Sequence, residues 1–305
     1  MSKDIVEDIT SLKKERNALL LVHNYQDSKI QELGDFIGDS FELARKAKFT
    51  DNSIIVFAGA EFMAETAAIL NPQKKVLIPS SMAKCPMAHM LSPTKMKRYR
   101  TLYPNTTIAV YVNTTAETKA MADICITSGN AVKIIKNLDE KQVLVGPDRN
   151  LAYYIQQQIP EIKIIPFPKI GYCYVHRKFI PSDIKKLIVR YPEAEILAHP
   201  EVSPSVQKIA NKICSTSRML KEAANSSSEK FIIATENGLV DRLRSNFPTK
   251  MFIPARKDAI CIQQKQITIY NLYLSLLKEQ YRIYIPPNIA KKARLPIERM
   301  LELSE

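Results

Sequence analysis

Twelve polar or sulfur side chains recur at one spacing in this chain, and they are the residues best able to carry chemistry. His23, Tyr25, Ser40 and Cys85 are followed 88 residues later by Tyr111, Asn113, Ser128 and Cys173, and 88 later again by His199, Glu201, Thr216 and Cys261. Three cysteines brought to one centre would offer thiolates to a soft metal. An iron-sulfur cube on three protein sulfurs keeps one iron open, a Lewis acid for a substrate hydroxyl or carboxylate. Zinc is the rival, although structural zinc usually takes closely paired ligands such as Cys-x-x-Cys, and the sequence has none. For any one cysteine alone, an apolar core position is the plain alternative; the shared period argues against it for these three. Cys125 and Cys214 fall outside the four columns, on or beside a strand, and read as core residues.

Histidine is scarce, with only His23, His89, His176 and His199; two are in the first column and His176 lies three residues after Cys173. Imidazole changes charge near neutral pH, so these three read as acid, base or ligand groups. Glu201 is the only carboxylate among the twelve and the candidate base for an enolisation. Tyr25, Tyr111 and Asn113 could orient a carbonyl or carboxylate, or could serve only to cap strand ends.

The segments that must position these residues repeat as well. A β-rich run precedes each first mark (19–22, 107–110, 195–198), and a second run ends in proline six or seven residues before each cysteine (Val76 to Pro79, Lys163 to Pro166, Met251 to Pro254). Self-similarity at a fixed period means one supersecondary unit reused, and this period is too long for a solenoid. The first unit reads as an N-terminal helix over 3–16, then strand 18–22, helix 28–34, strand 35–37, helix 41–48, strand 53–58, helix 61–69 and strand 75–78. The second has strands at 107–112, 124–126, 142–145 and 163–165; the third has strands at 195–198, 231–234 and 251–253 and a long final helix over 267–281. Continuous apolar strands alternating with helices predict an α/β fold: three similar αβα units with parallel sheets, related by pseudo-threefold symmetry around a central site. Prolines at Tyr103-Pro104-Asn105 and Tyr191-Pro192-Glu193 place the boundaries, giving units 1–104, 105–192 and 193–305.

Ligands of parallel sheets sit at the carboxyl ends of strands, where the first two columns fall. Ser40, Ser128 and Thr216 precede helical runs and have capping chemistry. Three helix N-termini aimed at one axis would form an anion site for carboxylates or phosphate.

Composition narrows the classes. The chain has 305 residues, 44 basic against 31 acidic, and a net charge of +13. Its Lys and Arg are scattered and nearly free of interleaved aromatics, so a solvated surface is expected rather than a nucleic-acid face. No apolar run is long enough to span a bilayer, and no secretory leader is seen, so cytoplasmic placement is the expectation. Five cysteines in a reducing compartment favour metal or catalysis over a disulfide framework. The seven glycines form neither a dinucleotide fingerprint nor a P-loop.

Taken together, the motifs resemble the quinolinate synthase family, iron-sulfur enzymes that make the pyridine ring of NAD. The resemblance covers nearly the whole chain. It is carried by His23-Asn24-Tyr25-Gln26, Gly38-Asp39-Ser40, Phe62-Met63-Ala64-Glu65 with Asn71-Pro72, Tyr111-Val112-Asn113, Thr127-Ser128, Cys173-Tyr174-Val175-His176, His199-Pro200-Glu201, Ser215-Thr216 and Thr235-Glu236.

The resemblance implies a transferase that condenses iminosuccinate with dihydroxyacetone phosphate to quinolinate, releasing phosphate and water. It implies a 4Fe-4S cluster on Cys85, Cys173 and Cys261, whose open iron would bind substrate and promote dehydration. It also implies catalytic roles for His23, Tyr25, Tyr111, His176, His199 and Glu201, substrate binding by Ser40, Asn113, Ser128, Ser215 and Thr216, and a functional link to an aspartate-oxidising enzyme. Lys84, Arg177, Cys214 and Gln264 depart from the family pattern beside these positions and bear on loop shape, not on the ligands. A different cluster-dependent dehydratase and a non-enzymatic metabolite or nucleic-acid binder are the other classes.

Overall fold

The computed structural model describes residues 3–304. Its strands form three separate four-stranded parallel sheets. The first holds β1 (Ala18–His23), β2 (Phe36–Gly38), β3 (Ile54–Ala58) and β4 (Lys75–Leu77) in the order β2-β1-β3-β4. β5 (Thr107–Tyr111), β6 (Ile124–Ile126), β7 (Gln142–Gly146) and β8 (Lys163–Pro166) repeat that order, as do β9 (Glu195–Ala198), β10 (Lys212–Ile213), β11 (Lys230–Ala234) and β12 (Met251–Pro254). In each sheet the chain winds outward from the first strand in one direction and then the other. This leaves a crevice at the carboxyl ends of the two central strands.

Burial follows from the pattern of each strand. β1 and β3 are buried at every residue because helices cover both faces. In the third sheet the two faces are distinct cores. Ile196, Ala198, Ile232 and Ala234 pack with Val175 and Phe179, whereas Leu197, Phe231 and Ile233 pack with Met219 and Leu239, the two-residue alternation of a strand.

The helices are α1 (Lys3–Glu15), α2 (Ser28–Gln31), α3 (Ser40–Lys48), α4 (Glu61–Leu70), α5 (Pro93–Leu102), α6 (Ala116–Lys119), α7 (Ala131–Lys136), α8 (Arg149–Gln158), α9 (Pro181–Arg190), α10 (Pro204–Gln207), α11 (Thr216–Asn225), α12 (Asn237–Asn246), α13 (Ile269–Lys278) and α14 (Pro287–Glu302). α5, α9 and α13 begin 88 residues apart. Among the described residues no fourth sheet follows α13, which packs against α1 and β3, so the last copy of the repeat lies on the first and closes the ring.

The final helix expected over 267–281 stops at Lys278. Glu279 takes a left-handed conformation (φ 51°) that ends it, held by Arg16 at 2.8 Å and by Lys75. The chain then runs antiparallel to β4, with Ile283 N–H donating to the Val76 carbonyl at 2.8 Å and covering that sheet edge. α14, one of the C-terminal helices expected of the third unit though without a predicted range, docks on α4, α6 and β6, away from the third sheet. The helix expected over 28–34 is a single turn. β10, two residues long, has no apolar run to announce it.

Candidate active site

The carboxyl ends of the three sheets face one cavity. His23 ends β1, Tyr111 ends β5 and His199 directly follows β9; the loops they open bring in Tyr25, Asn113 and Glu201. Ser40, Ser128, Thr216, His176, Cys85, Cys173 and Cys261 complete the thirteen anticipated residues that line the same cavity. Residues separated by up to 238 positions, His23 and Cys261, thus share one wall system because each repeat turns the same edge inward.

Ser215 alone among the anticipated residues does not line the cavity. It caps α11, accepting from Arg218 N–H at 3.4 Å, and donates to Asp39 Oδ2 at 3.1 Å. Asp39 is the residue that faces inward, and it also caps α3 through a capping box with Glu42. The third column is therefore not the cap itself. Ser40 and Thr216 are the first residues of α3 and α11, and Ser128 lies in the turn before Asn130, the N-cap position of α7.

Hydrogen bonds set the states of the side chains. Tyr111 Oη donates to Glu201 Oε1 at 2.7 Å, and His176 Nδ1 stands 2.9 Å from Glu201 Oε2. His176 Nε2 meets Thr235 Oγ1 at 2.9 Å, and that hydroxyl meets Tyr25 Oη at 2.7 Å. Hydrogen bonds therefore join Tyr25, Thr235 and His176 on one side and Tyr111 with Glu201 on the other, and the two groups approach to 2.9 Å at His176 Nδ1 and Glu201 Oε2 without an aligned hydrogen bond. The His176 ring stacks on His199 with centroids 4.7 Å apart. Glu201 N–H donates to His199 Nδ1 at 3.4 Å, which leaves the ring proton on Nε2, 3.2 Å from Ser128 Oγ. Tyr25 N–H meets His23 Nδ1 at 3.3 Å in the same way.

Burial moves the titrations. It lowers His23 and His199 from 6.5 to about 3, so both rings are neutral at physiological pH. Burial pushes the Glu201 carboxyl up, but the His176 ring beside Oε2 and the Tyr111 hydroxyl on Oε1 win and hold it at about 2. Glu201 is accordingly a carboxylate with both oxygens engaged. Burial, followed by the neighbouring Cys261, raises the Cys85 thiol to about 12; burial also raises Cys173 and Cys261. Three thiols held this way become thiolates only beside a cation.

The donor set suits a metal centre. Among the described residues no disulfide forms, and the remaining thiols, Cys125 in β6 and Cys214 beside β10, are buried outside the cavity, as expected of core residues. Three thiols, one from each repeat and on separate loops, line the one cavity. Cys173, His176 and Glu201 also place ligand atoms within 4.8 Å of one another. Asn113 Oδ1 is buried without a partner, an open acceptor beside the cavity.

Two carboxylates stand behind the cysteines, Glu236 from the Thr235-Glu236 motif and Asp148, which was not singled out from the sequence. Asp148, which caps α8, accepts from Cys173 N–H at 3.1 Å; Glu236, which caps α12, accepts from Cys261 N–H at 3.1 Å. They stand 88 residues apart, so the repeat itself was the available signal, and the first copy has Ala60 there instead.

Comparison with known proteins agrees with this arrangement. The family model described as quinolinate synthetase A protein matches residues 7–302. A quinolinate synthase of Methanocaldococcus jannaschii is 51% identical over 308 residues, covering 99% of this chain and all of that protein. The quinolinate synthase of Pyrococcus abyssi is 50% identical with 99% and 100% covered, and that of Alkaliphilus metalliredigens is 42% identical with 98% of each covered. A full-length match of this strength, over a chain whose repeats converge on one thiol-lined cavity, shows that the chain belongs to the quinolinate synthetase A protein family.

Proposed function

We propose that this chain is a quinolinate synthase that condenses iminosuccinate with dihydroxyacetone phosphate to quinolinate, releasing phosphate and water, with a 4Fe-4S cluster on Cys85, Cys173 and Cys261. The observation that carries the reading is the convergence of three thiols, one from each repeat, on the cavity that also holds Glu201. When bound, the cluster would supply a Lewis-acidic iron with an open coordination position.

The chain's own residues account for binding and proton handling. Iminosuccinate brings two carboxylates and the triose a phosphate, and the Ser40 and Thr216 N–H groups at the starts of α3 and α11, which the capping side chains leave free, face them. His199, neutral and protonated on Nε2, donates to Ser128, leaving the serine hydroxyl proton for a substrate oxygen. Asn113 binds through its free side-chain acceptor. Glu201, anticipated as the base, is better placed as a fixed anion: one oxygen accepts from Tyr111 and the other lies 2.9 Å from His176 Nδ1, and His176 with Thr235 and Tyr25 moves the protons of enolisation and ring closure. His23 lies edge-on to Tyr25 at 4.7 Å and orients it.

We assign the unit boundaries at 104/105 and 192/193, a cytoplasmic location, and supply of the unstable imine by an aspartate-oxidising enzyme. No described helix is long and apolar enough to cross a membrane. The close set Cys173, His176 and Glu201 supports a second reading, a single metal ion. Anaerobic purification with iron and sulfide analysis and a quinolinate assay tests both: about four irons per chain with product supports the cluster, and one metal per chain without sulfide supports the mononuclear site.

A further inference from the structure

The repeat carries one more column, with no common residue type. Gln31, Lys119 and Gln207 stand 88 residues apart and are all buried. Gln31 Nε2 donates to the carbonyl of Gln26 at 2.8 Å and approaches that of Asn24 at 3.4 Å, the two peptides flanking Tyr25. Gln207 Nε2 donates to Val202 O at 3.0 Å and to Pro200 O at 2.8 Å, the two peptides flanking Glu201. Lys119 Nζ donates to Thr114 O, the peptide after Asn113. Tyr25, Asn113 and Glu201 are themselves one column of the repeat, so each member of the new column grips the loop that presents its equivalent.

Each grip also reaches the neighbouring repeat. Gln31 donates to Gly238 O at 3.1 Å, and Gln207 Nε2 also lies 3.1 Å from Asn150 O, its two N–H groups shared among three carbonyls. The matching position for Lys119 is Phe62, whose ring centroid lies 5.7 Å from the ammonium. On the same seam Glu65 Oε2 accepts from Ala116 N–H at 3.0 Å. The loops at the cavity are thus held from inside their own repeat and from the next one, around the whole ring.

We infer that Gln31, Lys119 and Gln207 are positioning residues that aim Tyr25, Asn113 and Glu201 into the cavity. They act through backbone carbonyls and touch no substrate. The inference rests on the functional assignment above for its kinetic consequence, but the loop clamp is measurable without it.

Gln207→Leu and Lys119→Met remove the donors while keeping apolar bulk, and Lys119→Gln installs the residue the other two repeats use. The first two should lower kcat about 10- to 100-fold, the range expected when reacting groups are misaimed, with KM and iron content close to wild type. Lys119→Gln should return kcat to within about threefold of wild type, since an amide can make the same carbonyl bond. Hydrogen exchange without substrate should show the Glu201 amide opening about tenfold faster in Gln207→Leu while β9 amides keep their protection.

Wild-type exchange at Glu201, or a Lys119→Gln enzyme no better than Lys119→Met, overturns the inference. If Lys119→Met fails to fold, active Lys119→Gln together with the exchange result still supports it, and inactive Lys119→Gln overturns it. If Gln207→Leu fails to fold, the same exchange comparison on Gln31→Leu, read at the Tyr25 amide, decides in its place. If the wild-type protein makes no quinolinate, the functional assignment fails and the exchange measurement alone judges the clamp.

Discussion

Tyr111 donates its hydroxyl to Glu201 Oε1 at 2.7 Å, joining the end of one sheet's first strand to the loop after another's. With the His176 ring 2.9 Å from the other oxygen, this bond fixes the carboxylate and helps to keep it ionised. Glu201→Gln removes that anion while keeping the shape. Turnover should fall about 10²- to 10⁴-fold, the range of an acid–base contribution, with the iron content unchanged; a rate near wild type would remove Glu201 from the reaction.

The cysteines divide into two functional sets. Cys85→Ser or Cys261→Ser should abolish the brown chromophore and activity together, because serine is a poor ligand for a soft metal. Cys125→Ala, in the buried strand β6, should keep its iron. A colourless but active Cys85→Ser protein contradicts the assignment.

Asp148 and Glu236 each satisfy the buried N–H of a cavity cysteine while capping a helix. Removing either with alanine leaves that amide without its partner and strips the cap, at a cost of about 1–3 kcal/mol. Urea unfolding of Asp148→Ala and Glu236→Ala checks this. An unchanged midpoint in both would mean that the loops carry their own support.

Burial raises the Glu65 carboxyl from 4.5 to about 7, with only partial relief from Lys119. A raised carboxyl contributes its stability fully below 4.5 and loses it as pH rises through 7. His23 and His199 act in the opposite sense: lowered from 6.5 to about 3, they contribute above 6.5 and lose that contribution as pH falls toward 3. In Glu65→Gln only the first effect is gone. The unfolding free energy of wild type relative to this variant should therefore decline between pH 4.5 and 7. A flat difference would show that the carboxyl titrates normally.

Leu272 and Leu276 of α13 share a fully buried cluster with Ile9 of α1 at the point where the ring closes. Leu272→Ala should cost about 2–5 kcal/mol, as for other large-to-small changes in a closed core. Denaturant titration measures it, and a loss below about 1 kcal/mol would mean that α13 is a loosely docked appendage.

By itself the sequence determined the α/β class, the three repeats, and the residues that meet in the cavity, His23 through Cys261. Those residues were readable because identical spacing over three copies survives wherever the same strand end must face the same axis. Four features were decided only in the folded chain: the inward turn of Asp39 in place of Ser215, the two-residue strand Lys212–Ile213, the docking of α14 away from its own repeat, and the grip of Gln31, Lys119 and Gln207 on the cavity loops. Each depends on a partner far along the chain. A buried donor needs only a carbonyl within reach, so glutamine and lysine serve equally well and no residue pattern marks the place.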